Sequence, residues 1–311
     1  MARAEVRRGK VPRRKGDPLP IGRARAAADG VRHGNGGGAE EQPGRPRPHA
    51  GPWHIRGEGR HDPLTSLDLT QGARVALSWG PMPKLRVEVW SDVACPWCYV
   101  GKRRLEAAVA RMPSPRDVEV VWRSFELDAK APRVRRARTS YAERLAKKYR
   151  ATLAQANAMI ERMTSVAAAE GLTFRFDRVR PGSTFDAHRV LHLAKERGVQ
   201  GAVKERLMRA YFAEGEALGD RKALVRLAGE AGLEPGEVRR VLAGGAYARA
   251  VRADEGEASQ NGIHAVPFFG VAETYGLTGA QPVEVIHETL MQAWAERSAL
   301  EGAAGGPGGR A

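Results

Sequence analysis

Both cysteines of the 311-residue chain lie in one short stretch, Cys95-Pro96-Trp97-Cys98, between an alternating apolar segment and a helical one. At a helix N-terminus the first sulfur of a Cys-x-x-Cys faces free backbone N–H groups and the positive end of the dipole. Both lower its pKa and supply a thiolate near neutral pH. The second cysteine, one turn further on, can close a disulfide with it. Pro96 suits the first helical position, where its missing N–H costs nothing. The chemistry this pattern offers is thiol–disulfide exchange.

Two other uses of the sulfurs compete with it. A zinc site needs two further ligands, and His188 and His192 stand four apart, as ligands on one helix face would. Yet 89 residues separate Cys98 from His188, far from zinc-finger spacing. That helix also carries Val190, Leu191 and Leu193, so a structural role suits the histidines better. Two inert buried thiols are the remaining reading. No metal and no cofactor is expected.

The elements that must hold the pair are visible in the pattern. Leu85 to Trp90 alternates apolar and polar residues, the period of a strand. Tyr99 to Met112 has Leu105, Ala108, Val109 and Met112 at helical spacing, ended by Pro113 and Pro115. Val118 to Phe125 is β-branched and reads as a second strand, parallel to the first across the helix. Residues 139–260 are helical almost throughout: 140–149, 153–171, 184–198, 200–214, 221–232, 235–243 and 246–262. Ser140 and Asp220 are expected N-caps, and Gly198, Gly232 and Gly262 expected C-caps. Strands return at 266–271 and 275–278, followed by a closing helix over 281–297. The fold class is therefore α/β, with a β-α-β half (83–138) and a β-β-α half (261–300) separated by a helical insertion domain (139–260).

Residues 1–82 differ in kind. They hold 14 Gly and 9 Pro with no apolar period, so they bury too little to offset chain entropy. A disordered tail is expected there, and another over 301–311. Met82 offers an alternative start. The tail carries 15 basic and 8 acidic residues, nearly half of the chain's net charge of +15. Such an excess attracts nucleic acid non-specifically, but no recognition motif accompanies it. No apolar run approaches the roughly 18 residues of a membrane span. The first thirty residues lack the apolar core of a signal peptide, and the expected location is cytoplasmic.

The stretch Val87 to Lys102 resembles the DsbA-like thioredoxin-fold dithiol–disulfide oxidoreductases, specifically their FrnE-type branch. Trp122-Arg123-Ser124-Phe125-Glu126-Leu127, Phe185-Asp186-Ala187-His188-Arg189, Val266-Pro267-Phe268-Phe269 and Gly279-Ala280-Gln281 add to the likeness. Together these blocks span about residues 85–297. The resemblance implies a thioredoxin-like fold interrupted by helices, with Cys95 attacking and Cys98 resolving. It further implies that Pro267 is the cis-proline facing the sulfurs, leaving Val266 backbone groups for a substrate strand. Trp97 stands where strongly oxidising relatives have histidine, which implies a less oxidising couple.

His264 is a candidate for tuning the sulfurs, or else a solvated loop residue. Trp97, Tyr99, Phe268 and Phe269 are candidates for an apolar groove. Asp92 reads as a cap at the helix start or a proton acceptor, and Asp186, His188 and Arg189 as the helical domain's face over the site. The expected activity is thiol–disulfide exchange on protein or small-molecule disulfides, with a low-molecular-weight thiol or thioredoxin as reductant. The alternative is a glutathione-dependent isomerase of the 2-hydroxychromene-2-carboxylate type, or another small-molecule enzyme. Those isomerases carry serine at the position of Cys95. A third reading makes the basic tail a binding module.

Overall fold

The computed structural model describes residues 84–134 and 139–304. The tail expected over 1–82 and residues 305–311 of the one expected over 301–311 lie outside the described residues. Strand β1 (Leu85–Ser91) leads through the loop 92–95 into helix α1 (Pro96–Ala110), and strand β2 (Val118–Ser124) follows. β2 runs parallel to β1, Val89 opposite Trp122, as the crossover helix predicts. Strands β3 (Phe268–Val271) and β4 (Tyr275–Thr278) complete a four-stranded sheet in the order β2-β1-β3-β4, with β3 antiparallel to both neighbours. Alternation suggests one wet face for β1, yet six of its seven residues are buried. Its one inward acid, Glu88, is satisfied by the Arg123 guanidinium at 2.9 Å.

Between β2 and β3 lie α2 (Tyr141–Tyr149), α3 (Leu153–Ala169), α4 (Phe185–Glu196), α5 (Gln200–Arg209), α6 (Arg221–Glu230), α7 (Pro235–Ala243) and α8 (Ala248–Gln260). Ser140 caps α2 with a reciprocal Glu143 bond, and Asp220 caps α6 through the Lys222 N–H. Gly198, Gly232 and Gly262 turn left-handed after α4, α6 and α8, with φ of 70°, 100° and 68°. One expected helix is divided. After Arg209 the chain widens into a π turn, Ala210–Glu214, where the Phe212 carbonyl accepts from Arg175 N–H at 2.7 Å. The closing helix α9 (Val283–Ala304) runs past Arg297, so residues 301–304 are helical instead of tail.

Three apolar clusters hold these pieces. One joins the sheet to α1 and α9 through Leu105, Phe269, Ile286 and Leu290. A second fills the helical block and includes Cys95, Cys98 and Tyr99. A small third cluster packs Trp90 and Phe268 against Ala258 and Ile263. Helix α1 thus sits where the first two cores meet, with its N-terminus under the helical block.

Candidate active site

Cys95 is the N-cap of α1, and its carbonyl accepts the N–H of Cys98 at 3.1 Å and of Tyr99 at 3.3 Å. Pro96 occupies the first helical position, buried. Cys95 and Cys98 are free and lie 3.4 Å apart. The Val266–Pro267 bond is cis, as the resemblance implied. It presents the Val266 carbonyl to Cys95, whose thiol donates to it at 3.7 Å. Pro267 itself packs on α1. A Cβ on Gly101 would meet the Pro267 Cγ at 2.9 Å, closer than real Cβ contacts. Glycine there is what lets the proline loop approach the helix.

The two sulfurs are unequal. Burial, reinforced by a hydrogen bond and repulsion from Cys95, pushes the Cys98 thiol well above the ordinary range. The Ser91 hydroxyl and the Lys204 ammonium pull it back only in part. Cys98 therefore holds its proton. Cys95 is expected exposed, and here the structure differs: its relative exposure is 4%, against 0% for Cys98. The order holds, but the first sulfur is roofed by the helical block. Tyr141 and Val266 both pack on the cluster that contains it. Periodicity places helices; it does not say which one folds back over a loop.

Trp97 alone of the four aromatic candidates is open, at 37% exposure. Tyr99 is buried, with its hydroxyl on Glu205 at 2.6 Å. Phe268 and Phe269 belong to the cores. His264 is exposed on the loop before Val266. Asp186 and Arg189 bind each other at 2.7 Å, and Arg189 goes on to the carbonyls of Gly244 and Ala246. They fasten α4 to the turn before α8. His192 likewise serves the frame, within 3.2 Å of Asp254. Among the described residues no group of His, Cys, Asp and Glu assembles as a metal site.

His188 does lean over the loop. Its Nε2 lies 3.4 Å from Asp92 Oδ1. Asp92 is not the cap of α1. Its two oxygens take the N–H groups of Ala94 (3.2 Å) and Leu127 (2.8 Å), pinning the cysteine loop to the segment after β2. Burial raises this carboxyl, but His188 and the two N–H groups outweigh it and hold it below the usual range. Lys204 escaped the sequence reading altogether. It is fully buried on α5, its Nζ 4.8 Å from the centre of the Trp122 ring. The available signal was its place on the stripe of Gln200, Met208 and Tyr211, three or four residues apart and all buried.

A thiol pair at a helix start, a cis-proline beside it and a helical block between β2 and β3 are the parts of one known architecture. The family model described as a DSBA-like thioredoxin domain matches residues 86–291. The chain belongs to this family. A probable DsbA oxidoreductase from Streptomyces coelicolor shares 49% identity, over 68% of this chain and 91% of that one, with a TM-score of 0.64. The uncharacterized protein YwbO of Bacillus subtilis is 28% identical over 209 residues, 66% of this chain and 96% of its own length. Membership supports thiol–disulfide oxidoreductase chemistry. No helix among the described residues is long and apolar enough to cross a membrane.

Proposed function

We propose that the chain is a dithiol–disulfide oxidoreductase or isomerase of the FrnE-type branch, in which Cys95 attacks and Cys98 resolves. The supporting observation is the inequality of the pair: a Cys98 thiol that burial keeps protonated, beside a Cys95 that is the N-cap of α1, at the positive end of its dipole. Attack by the Cys95 thiolate on a substrate disulfide gives a mixed disulfide and releases one thiol. Cys98 then displaces the second thiol and leaves Cys95–Cys98 oxidised, to be reduced by a low-molecular-weight thiol or thioredoxin in the cytoplasm. Sulfur exchange of this kind needs no cofactor and no metal.

Residues 139–260 act in this reading as an insertion domain that limits access. With Cys95 only 4% exposed, the substrate is a small disulfide or an extended peptide strand, not a folded surface. Trp97, at the mouth, supplies an apolar contact, and Val266 and Pro267 form the wall opposite Cys95.

Oxidised glutathione tests the assignment. Cys98→Ser should accumulate a glutathione adduct on Cys95, seen by mass spectrometry, whereas Cys95→Ser should form none at neutral pH. An adduct on Cys98 alone would reverse the roles.

A further inference from the structure

We propose that Lys204 is a positioning residue for the resolving step: its buried ammonium stabilises the Cys98 thiolate once Cys95 is tied up with substrate. This rests on the dithiol reading above.

The geometry is unusual for a lysine. Lys204 has no solvent exposure, and its Nζ has no hydrogen-bond partner among the described residues. An unpaired ammonium in a core costs several kcal/mol unless something compensates it. The Trp122 ring at 4.8 Å compensates in part. An apolar side chain of the same length would fill this space without that cost. The Trp122 ring of β2 lies against the ammonium, and the neighbouring Glu205 clamps α5 to α1, taking the Tyr99 hydroxyl at 2.6 Å and the Lys102 ammonium at 2.7 Å, while Val203 and Leu207 share one core with Cys98. Cys98, Asp92, Lys102 and Cys95 are the charges that act on it. Of the groups favouring its charge, Cys98 is foremost and Asp92 second. Burial, and the Lys102 ammonium with it, pushes in the other direction, and the balance leaves Lys204 at about 8, still charged at neutral pH.

The timing follows from what holds Cys98 protonated. Three influences raise its thiol: burial, the hydrogen bond with Cys95, and the charge of Cys95. In a mixed disulfide Cys95 carries no charge and no free thiol, so the second and third disappear. Burial then remains, opposed by the Ser91 hydroxyl and by the Lys204 ammonium. Attack at Cys95 thereby releases Cys98. The free enzyme keeps Cys98 quiet, and the adduct activates it.

The step balances without a further reactant. The Cys98 sulfur bonds to Cys95 Sγ as the Cys95–substrate S–S bond breaks. The electron pair leaves on the substrate sulfur, which takes up the proton that Cys98 gave up. Lys204 keeps its own protons throughout.

Two measurements test this. In Cys95→Ser, which mimics the adduct by removing the first thiol, Cys98 is titrated by NMR of its isotopically labelled Cβ. Adding Lys204→Met should move the midpoint up by at least about one pH unit, tenfold less thiolate at neutral pH. Lys204→Arg, which keeps the charge, should largely restore it. In the intact pair, an adduct made with oxidised glutathione in mild acid is jumped to neutral pH. Glutathione release should be about tenfold slower in Lys204→Met, a larger factor than the same substitution imposes on adduct formation in Cys98→Ser, because the ammonium acts on Cys98 more strongly than on Cys95. Equal midpoints and equal release rates overturn the proposal. Failure of any adduct to form on Cys95 would instead sink the dithiol reading, and the NMR titration would still judge Lys204.

Discussion

The thiol of Cys95 donates to the carbonyl oxygen of Val266, 171 positions further along the chain. This contact joins the two sheet halves at the candidate site. It depends on how closely the loop before β3 can approach α1, and Gly101 sets that distance. A Cβ at Gly101 would lie 2.9 Å from Pro267 Cγ and 3.2 Å from Phe269 Cζ, both in packed surroundings.

Gly101→Ala should therefore destabilise the protein by about 1–3 kcal/mol, the usual cost of overpacking, and lower turnover by shifting Pro267. Gly201→Ala is the control. No atom stands within 4 Å of its added Cβ, and it lies on α5. There alanine should stabilise by roughly 0.5–1 kcal/mol through helix propensity. Urea midpoints of the two variants check both signs; equal effects would refute the packing argument.

Alkylation across a pH series should separate the two thiols. Cys95 is expected to react at neutral pH. Cys98, held up by burial and by Cys95, should react only in strongly alkaline solution. Mass spectrometry of single-cysteine variants reads each rate. Two thiols titrating together near the unperturbed value of about 8.5 would contradict the assignment.

Much of this frame was legible because its signals are local. Ser140 and Asp220 announce helix starts within three residues of themselves, and Gly198, Gly232 and Gly262 announce ends. The cysteine pair and the Val-Pro block mark the site by motif. What stayed hidden is set by packing between distant segments. Tyr99 and Glu205 meet across 106 positions, clamping α5, with Lys204 on it, to α1. Nothing in the Cys-x-x-Cys stretch encodes a lysine that follows so far along the chain. The burial of Cys95 is hidden for the same reason.

Asp92 should make stability pH-dependent in acid. Its carboxyl is held low in the fold, so its contribution is fully present above the unfolded value of about 3.9. It is lost as pH falls through the lower folded value, when the carboxyl gains its proton. Asp92→Asn should cost about 1–3 kcal/mol near neutrality and flatten stability below pH ~4. Denaturation in urea at several pH values shows this; an unchanged acid limb would count against the Asp92–His188 pairing.

Asp254 should be the costlier carboxylate to remove. It accepts from the Ser124 N–H at 2.8 Å and from Arg123 at 2.9 Å, with His192 at 3.2 Å, so it ties α8 and α4 to β2. Asp254→Ala leaves the Arg123 guanidinium on Glu88 but takes the acceptor from the buried Ser124 N–H and the partner from His192, and should cost at least about 3 kcal/mol. Thermal unfolding reads the loss. A shift of only a degree or two would show that the cluster is dispensable.

Trp97 gives a prediction about redox poise. It is 37% exposed at the second position of α1, so replacing it disturbs little of either core. A tryptophan there offers the Cys95 thiolate no charge. Trp97→His would place an imidazole beside the sulfur, at the end of the helix where the dipole already favours an anion. In its protonated form, below about pH 6.5, the ring stabilises the thiolate and with it the reduced protein. Stabilising the reduced form makes a couple more oxidising. The reduction potential of Trp97→His should therefore exceed that of the parent by about 30 mV for each tenfold gain in thiolate stability. The gap should narrow as pH rises and the imidazole loses its charge. Equilibration of both proteins with glutathione redox buffers at pH ~6 and pH ~8, on either side of that value, measures it. A potential that stays the same, or a gap that does not depend on pH, would show that the residue between the cysteines does not set the poise of this pair.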